Sequence, residues 1–97
     1  MTYKFIYPAV ILNIRDVCNR YLVGNATIDE FQRMMLIGEA EILAYEEKDI
    51  REFLTDVESR IELVRFSVDD DKKFDETKKI ANYVLKWLEK RTYGDTV

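Results

Sequence analysis

The heptapeptide Gly24-Asn25-Ala26-Thr27-Ile28-Asp29-Glu30 ends one helix and begins another. Gly24 and Asn25 are residues that stop a helix, because they tolerate the left-handed backbone of a C-terminal cap. Thr27 and Glu30 stand three apart, the spacing of a capping box, in which each side chain bonds the other residue's backbone N–H. A helix therefore starts near Ile28. Reading backwards, Val10, Ile14, Val17 and Tyr21, flanked by Ile11, Cys18 and Leu22, recur at helical spacing, and Pro8 suits the first turn. These residues predict a first helix with one apolar face.

Reading forwards, Phe31, Met34, Met35, Leu36, Ile37, Ala40, Ile42, Leu43, Ala44 and Tyr45 spread almost all round a helix axis. A helix of that kind needs neighbours on several sides. The third helix is cleaner: Ile50, Phe53, Leu54, Val57, Ile61 and Val64 share one face, with Arg51, Glu52, Thr55, Ser59 and Glu62 away from it. A break is expected at residues 46–49, with Asp49 as a cap. The alternative is one helix over 28–66, about 58 Å long, which a chain this short buries only against a second copy. Asp69, Asp70, Asp71, Lys72 and Lys73 read as a connector. Asp75 or Asp71 then caps a last helix carrying Ile80, Tyr83, Val84, Trp87 and Leu88, with Lys79, Lys86 and Lys90 opposite and a frayed tail from Thr92. The expected fold is all-α: one domain over 1–97, a four-helix antiparallel bundle with helices at about 8–23, 28–46, 49–67 and 75–91.

Composition agrees with helices. In 97 residues, 47% are hydrophobic and 35% charged, with three Gly and one Pro, too few for the turns of a β-rich fold. The lone Cys18 has no partner within the chain and reads as a buried, inert thiol. Phe5 to Leu12 is short, broken by Pro8 and a poor signal peptide, and no run approaches a membrane span; a cytoplasmic protein is expected.

Catalytic motifs are missing from the sequence. Without histidine there is no triad, HExxH site or Glu-x-x-His di-iron motif. Gly24, Gly38 and Gly94 form no phosphate loop, and the Asp69 run lacks the Gly and Glu of a calcium loop, since Phe74 and Ile80 stand there. The expectation is a protein that is not an enzyme and holds no metal or cofactor.

What the chain does show is charge asymmetry. Between Asp29 and Glu76 lie sixteen of the nineteen carboxylates and only seven Lys or Arg, while both flanking segments carry net positive charge. Crowded like charges aim at something basic, although an exposed acidic face also serves solubility. With a net charge of −4, a nucleic-acid partner is not expected.

The phrase Tyr21-Leu22-Val23-Gly24-Asn25-Ala26-Thr27-Ile28-Asp29-Glu30-Phe31, followed by acidic helices, resembles the small immunity proteins of the colicin D type over residues 10–90. The resemblance implies inhibition by binding, in which an acidic surface occupies the basic cleft of a tRNA-cutting toxin. No toxin-contacting residue carries over by position. From the chain's own pattern, the candidate partner-binding residues are Glu46, Glu47, Asp49, Glu52, Asp56, Glu62, Asp69, Asp70 and Asp71, with Leu63 and Phe66 as apolar anchors opposite the core stripe. Leu63 and Phe66 serve as anchors only if neither Tyr3 to Tyr7 nor helix four covers them. The competing expectation is a structural homodimer or adaptor associating through helix two.

Overall fold

The computed structural model describes the backbone of residues 5–94 and side chains as far as Arg91. It contains helices α1 (Pro8–Leu22), α2 (Ile28–Glu41), α3 (Lys48–Ser67) and α4 (Asp70–Gly94), with a 3-10 turn at Tyr45–Glu47 before α3. The helices form an antiparallel four-helix bundle. Arg20 meets Glu30 across α1 and α2, and Gln32 meets Glu62 across α2 and α3. Asp49 meets Arg91 across α3 and α4, and Tyr21 meets Phe74 across α1 and α4.

The α1–α2 corner forms as its residues dictate. Gly24 adopts φ 82, and the amides of Gly24 and Asn25 bond the carbonyls of Tyr21 and Arg20 at 3.1 and 2.7 Å, which is a Schellman closure. Both bonds of the Thr27 and Glu30 capping box are made. The Arg20 guanidinium beside Glu30 holds that carboxyl below the usual carboxylate range, tying the end of one helix to the start of the next.

Three boundaries differ from expectation. Helix two stops at Glu41, because Ile42 leaves helical geometry and turns its side chain fully into the core. Ile42, Leu43, Ala44 and Tyr45 therefore belong to the connection, and the nearly all-round apolar helix two dissolves: α2 buries only Phe31, Gln32, Met35 and Gly38. The separation of helices two and three is real, so a single helix over 28–66 does not form. Asp49 is no cap; Glu47 occupies the N-cap position and Asp49 lies in the first turn.

The last helix begins at Asp70 and not near 75. The Asp69 carbonyl accepts the amides of Lys72 and Lys73, and Asp70 and Asp71 suit the positive helix start. The early start seats Phe74 against Tyr21 at 5.4 Å and buries Thr77. Residues expected to fray remain helical to Gly94, beyond which the tail lies outside the described residues.

Among the described residues, seventeen apolar side chains from all four helices and the α2–α3 connection form the core. At Gly38, α2 passes close to both α1 and α3: a Cβ there would lie 2.7 Å from Leu54 Cδ1 and 3.2 Å from Ile14 Cδ1. Gly38→Ala gains about 1 kcal/mol of helix propensity but overpacks this crossing by about 2 kcal/mol. A net loss of about 1 kcal/mol is expected in urea unfolding, and a stabilised protein would mean that the crossing is slack.

Cys18 is fully buried in the same core, and burial pushes its thiol up to about 12. At pH 8 the thiolate fraction is then on the order of one in 10⁴. A chromogenic disulfide reagent is expected to label Cys18 only as fast as the protein unfolds, with prompt labelling in urea. Prompt labelling of native protein would show that the bundle opens at α1.

Candidate protein interface

Helix α3 presents one edge to the core and one to solvent. At 100° per residue, Glu52, Asp56, Ser59, Leu63 and Phe66 fall on the solvent side, within about 21 Å along the axis. Leu63 is 65% exposed and Phe66 82% exposed, so neither α4 nor the described N-terminal residues Phe5 to Tyr7 cover them. Tyr3 lies outside the described residues. Burying either Leu63 or Phe66 would contribute about 2 kcal/mol, so an exposed apolar pair on one helix face marks a candidate contact surface, although Leu43 and Tyr45 of the α2–α3 connection are exposed to a similar degree.

Two open grooves meet at Leu63. One, of about 310 Å³, is lined by Glu58, Ser59, Glu62, Leu63 and Phe66. The other, of about 260 Å³, runs between α3 and α4 and is lined by Arg60, Leu63, Val64, Glu76, Lys79, Ile80 and Tyr83. Its charges are satisfied locally. Arg60 pairs with Asp56 at 2.8 Å and lies over the Tyr83 ring, and Lys79 pairs with Glu76 at 3.0 Å.

The nine acidic candidates do not converge into one patch. Glu47 has to be withdrawn as a contact residue: it is fully buried, where its Oε2 accepts the Ile6 amide at 3.0 Å. Its role is to clasp the chain before α1, assisted by Tyr7, whose hydroxyl accepts the Ala44 amide at 3.1 Å. Asp49 is engaged as well, gripping Arg91 through both oxygens at 2.6 and 3.0 Å. That guanidinium holds its carboxyl below the usual range.

The remaining candidates stay at the surface but are separated. Glu46 sits in the 3-10 turn before α3 and Asp69, Asp70 and Asp71 lie beyond its end, about 30 Å apart by helical rise. Glu52 reaches Lys48 at 3.7 Å, and Asp70 reaches Lys73 at 2.9 Å, which lowers the Asp70 carboxyl. Exposed pairs of this sort contribute about 0–1 kcal/mol. They leave unchanged the excess of sixteen carboxylates over seven cations between Asp29 and Glu76, because those cations are already counted in it.

Glu62 differs from these. With Glu58, one turn earlier and not foreseen, it accepts the side-chain amide of Gln32 from α2; the Glu58 bond is 3.0 Å and the Glu62 contact is closer still. Gln32 is buried, and its own oxygen accepts Arg65 at 2.6 Å. Neither Glu58 nor Glu62 has an ion pair among the described residues, although each lines the groove beside Phe66. The i, i+4 spacing of Glu58 and Glu62 was visible in the sequence; the buried Gln32 that holds them together was not.

Residues Glu62, Leu63 and Phe66 thus gather in one place, joined by Glu58 and Ser59, while Glu52 and Asp56 extend the same face toward the start of α3. Among the described residues, no helix is long and apolar enough to cross a membrane. Compared with known proteins, the chain matches no family model, no curated protein and no solved structure.

Proposed function

We propose that this chain is a protein-binding inhibitor of the immunity type, acting in the cytoplasm without catalysis, whose α3 face occupies the basic cleft of a nuclease toxin. The observation that carries this reading is the uncovered pair Leu63 and Phe66 on the same helix face as Glu52, Asp56 and Glu62. An apolar anchor supplies the area that stabilises a complex, and surrounding carboxylates steer a basic partner and hold its Arg and Lys side chains. The charge excess between Asp29 and Glu76 gives the field its sign. The alternative of a homodimer through helix two keeps the exposed Leu36 and Ile37 and, in the connection after it, Leu43 and Tyr45, but it loses Ile42 to the core and gives the acidic excess no role.

The test is kinetic. Glu52→Lys, Asp56→Lys and Glu62→Lys together are expected to slow association with the captured partner at least 10-fold at low salt and to flatten its salt dependence. An association rate equal to that of the native protein, with the same salt dependence, would remove the acidic face from the mechanism.

A further inference from the structure

On α3, Asp49, Glu52 and Asp56 each hold a cation of this chain, whereas the half-buried Glu58 and Glu62 have none among the described residues. They stand one helical turn apart, so their charges repel. Between them lies only the neutral amide of Gln32, which offers its Nε2 to Glu58 Oε1 and Glu62 Oε2. Gln32 is 94% buried and anchored on its other side by Arg65, so it holds the two carboxylates as a fixed pair. Each spends one oxygen on Gln32, and both line the groove whose other walls are Ser59, Leu63 and Phe66.

We infer that this groove is a receptor for one arginine side chain of a protein partner, its guanidinium held by Glu58 and Glu62 and its methylenes lying on Leu63 and Phe66. The inference rests on the docking role proposed for α3 and names the chemistry at its centre. Charge complementarity selects a cation, because the pair is under-compensated whereas Glu52, Asp56 and Asp70 have partners. The geometry selects arginine over lysine. A planar fork with five donors can bond two adjacent carboxylates at once and stack on an exposed ring, whereas an ammonium is a compact, strongly hydrated point charge. The groove's apolar walls take the stem that a long cationic side chain must bury.

The probe is a blocked five-residue peptide, Gly-Leu-Arg-Leu-Gly, titrated into isotope-labelled protein while the Gln32 side-chain amide and the Phe66 ring are followed by NMR. Saturable shifts confined to Gln32 and residues 58–66 are expected. Citrulline in place of arginine should weaken binding at least 10-fold, and lysine several-fold. Glu58→Gln with Glu62→Gln should weaken it at least 10-fold with a native spectrum elsewhere, while Glu41→Gln with Glu89→Gln, exposed and away from this face, should leave it unchanged. Shifts spread over every acidic residue, equal binding of the lysine peptide, or binding unaffected by Glu58→Gln with Glu62→Gln would each overturn the inference. Partner capture that is lost on truncating Leu63 and Phe66 would then leave the docking role standing without the arginine receptor.

Discussion

Truncating Leu63 and Phe66 together to alanine is expected to weaken partner binding at least 100-fold while leaving the unfolding transition of the free protein within a few degrees of its native position. The two halves of that result have one cause. At 65% and 82% exposure, these side chains give little to the bundle, and surface substitutions of this kind usually change stability by about 0.5 kcal/mol or less. In a complex the same atoms become the driest part of the contact, where apolar anchors are typically worth about 2 kcal/mol or more each. A 100-fold loss corresponds to about 2.7 kcal/mol, within reach of two anchors even when their effects do not add. Isothermal titration of the partner against both proteins, beside thermal melts, checks it. Equal affinities would show that the exposed pair is incidental, and a collapsed melt would show that it belongs to the fold.

The second large effect concerns the core. Phe31 is fully buried and stacks on Tyr21 with ring centroids 5.3 Å apart, and Tyr21 in turn meets Phe74 at 5.4 Å. This aromatic row joins α2, α1 and α4. Burial raises the Tyr21 phenol, a rise partly offset by its hydrogen bond with Thr77 of α4. Phe31→Ala removes the fully buried end of this row and leaves a cavity, at a cost of about 3–5 kcal/mol. A domain of this size has a total stability of about 5–15 kcal/mol, so the variant is expected to lose its near-ultraviolet circular dichroism and sharp melt while keeping helical signal. A cooperative transition displaced by less than about 1 kcal/mol would mean that the row is not a central support.

The legible part of the fold was the part written in local signals. Gly24 and the Thr27 and Glu30 box are sequence-adjacent devices, and the structure uses both. The apolar faces of α1 and α3 have helical period, and Ile14, Val17, Ile50, Leu54, Val57 and Ile61 are buried accordingly. Gly38 carries no local signal, because a mid-helix glycine acquires meaning only from what passes beside it, here Leu54 and Ile14. The end of α2 was misread because Ile42 to Tyr45 continue an apolar run without Gly or Pro. Tertiary burial of Ile42 breaks the helix there, not a local stop signal. The start of α4 was misread for a related reason: three aspartates looked like a loop, yet they are also favourable at a helix N-terminus.

The candidate interface was legible only in part. Leu63 and Phe66 lie opposite a clear core stripe, so their exposure follows from period alone. The acidic residues could be counted but not sorted, because sorting needs long-range partners: Arg91 for Asp49, the Ile6 amide for Glu47, and Gln32 for Glu58 and Glu62. Those contacts convert an apparently uniform acidic face into one buried clasp, several neutralised pairs, the scattered Glu46, Asp69 and Asp71 and, on adjacent turns of α3, two carboxylates with no ion pair among the described residues.

Parallel affinity capture tests the docking role of α3 most directly. Tagged native protein and the Leu63→Ala, Phe66→Ala variant are exposed to the same native lysate at low salt, eluted with a salt gradient and compared by mass spectrometry. The account predicts a basic, nuclease-like protein held by the native protein, released at moderate salt and missing from the variant. Identical captures by the two proteins, or recovery of only further copies of this chain in salt-resistant form, would contradict it.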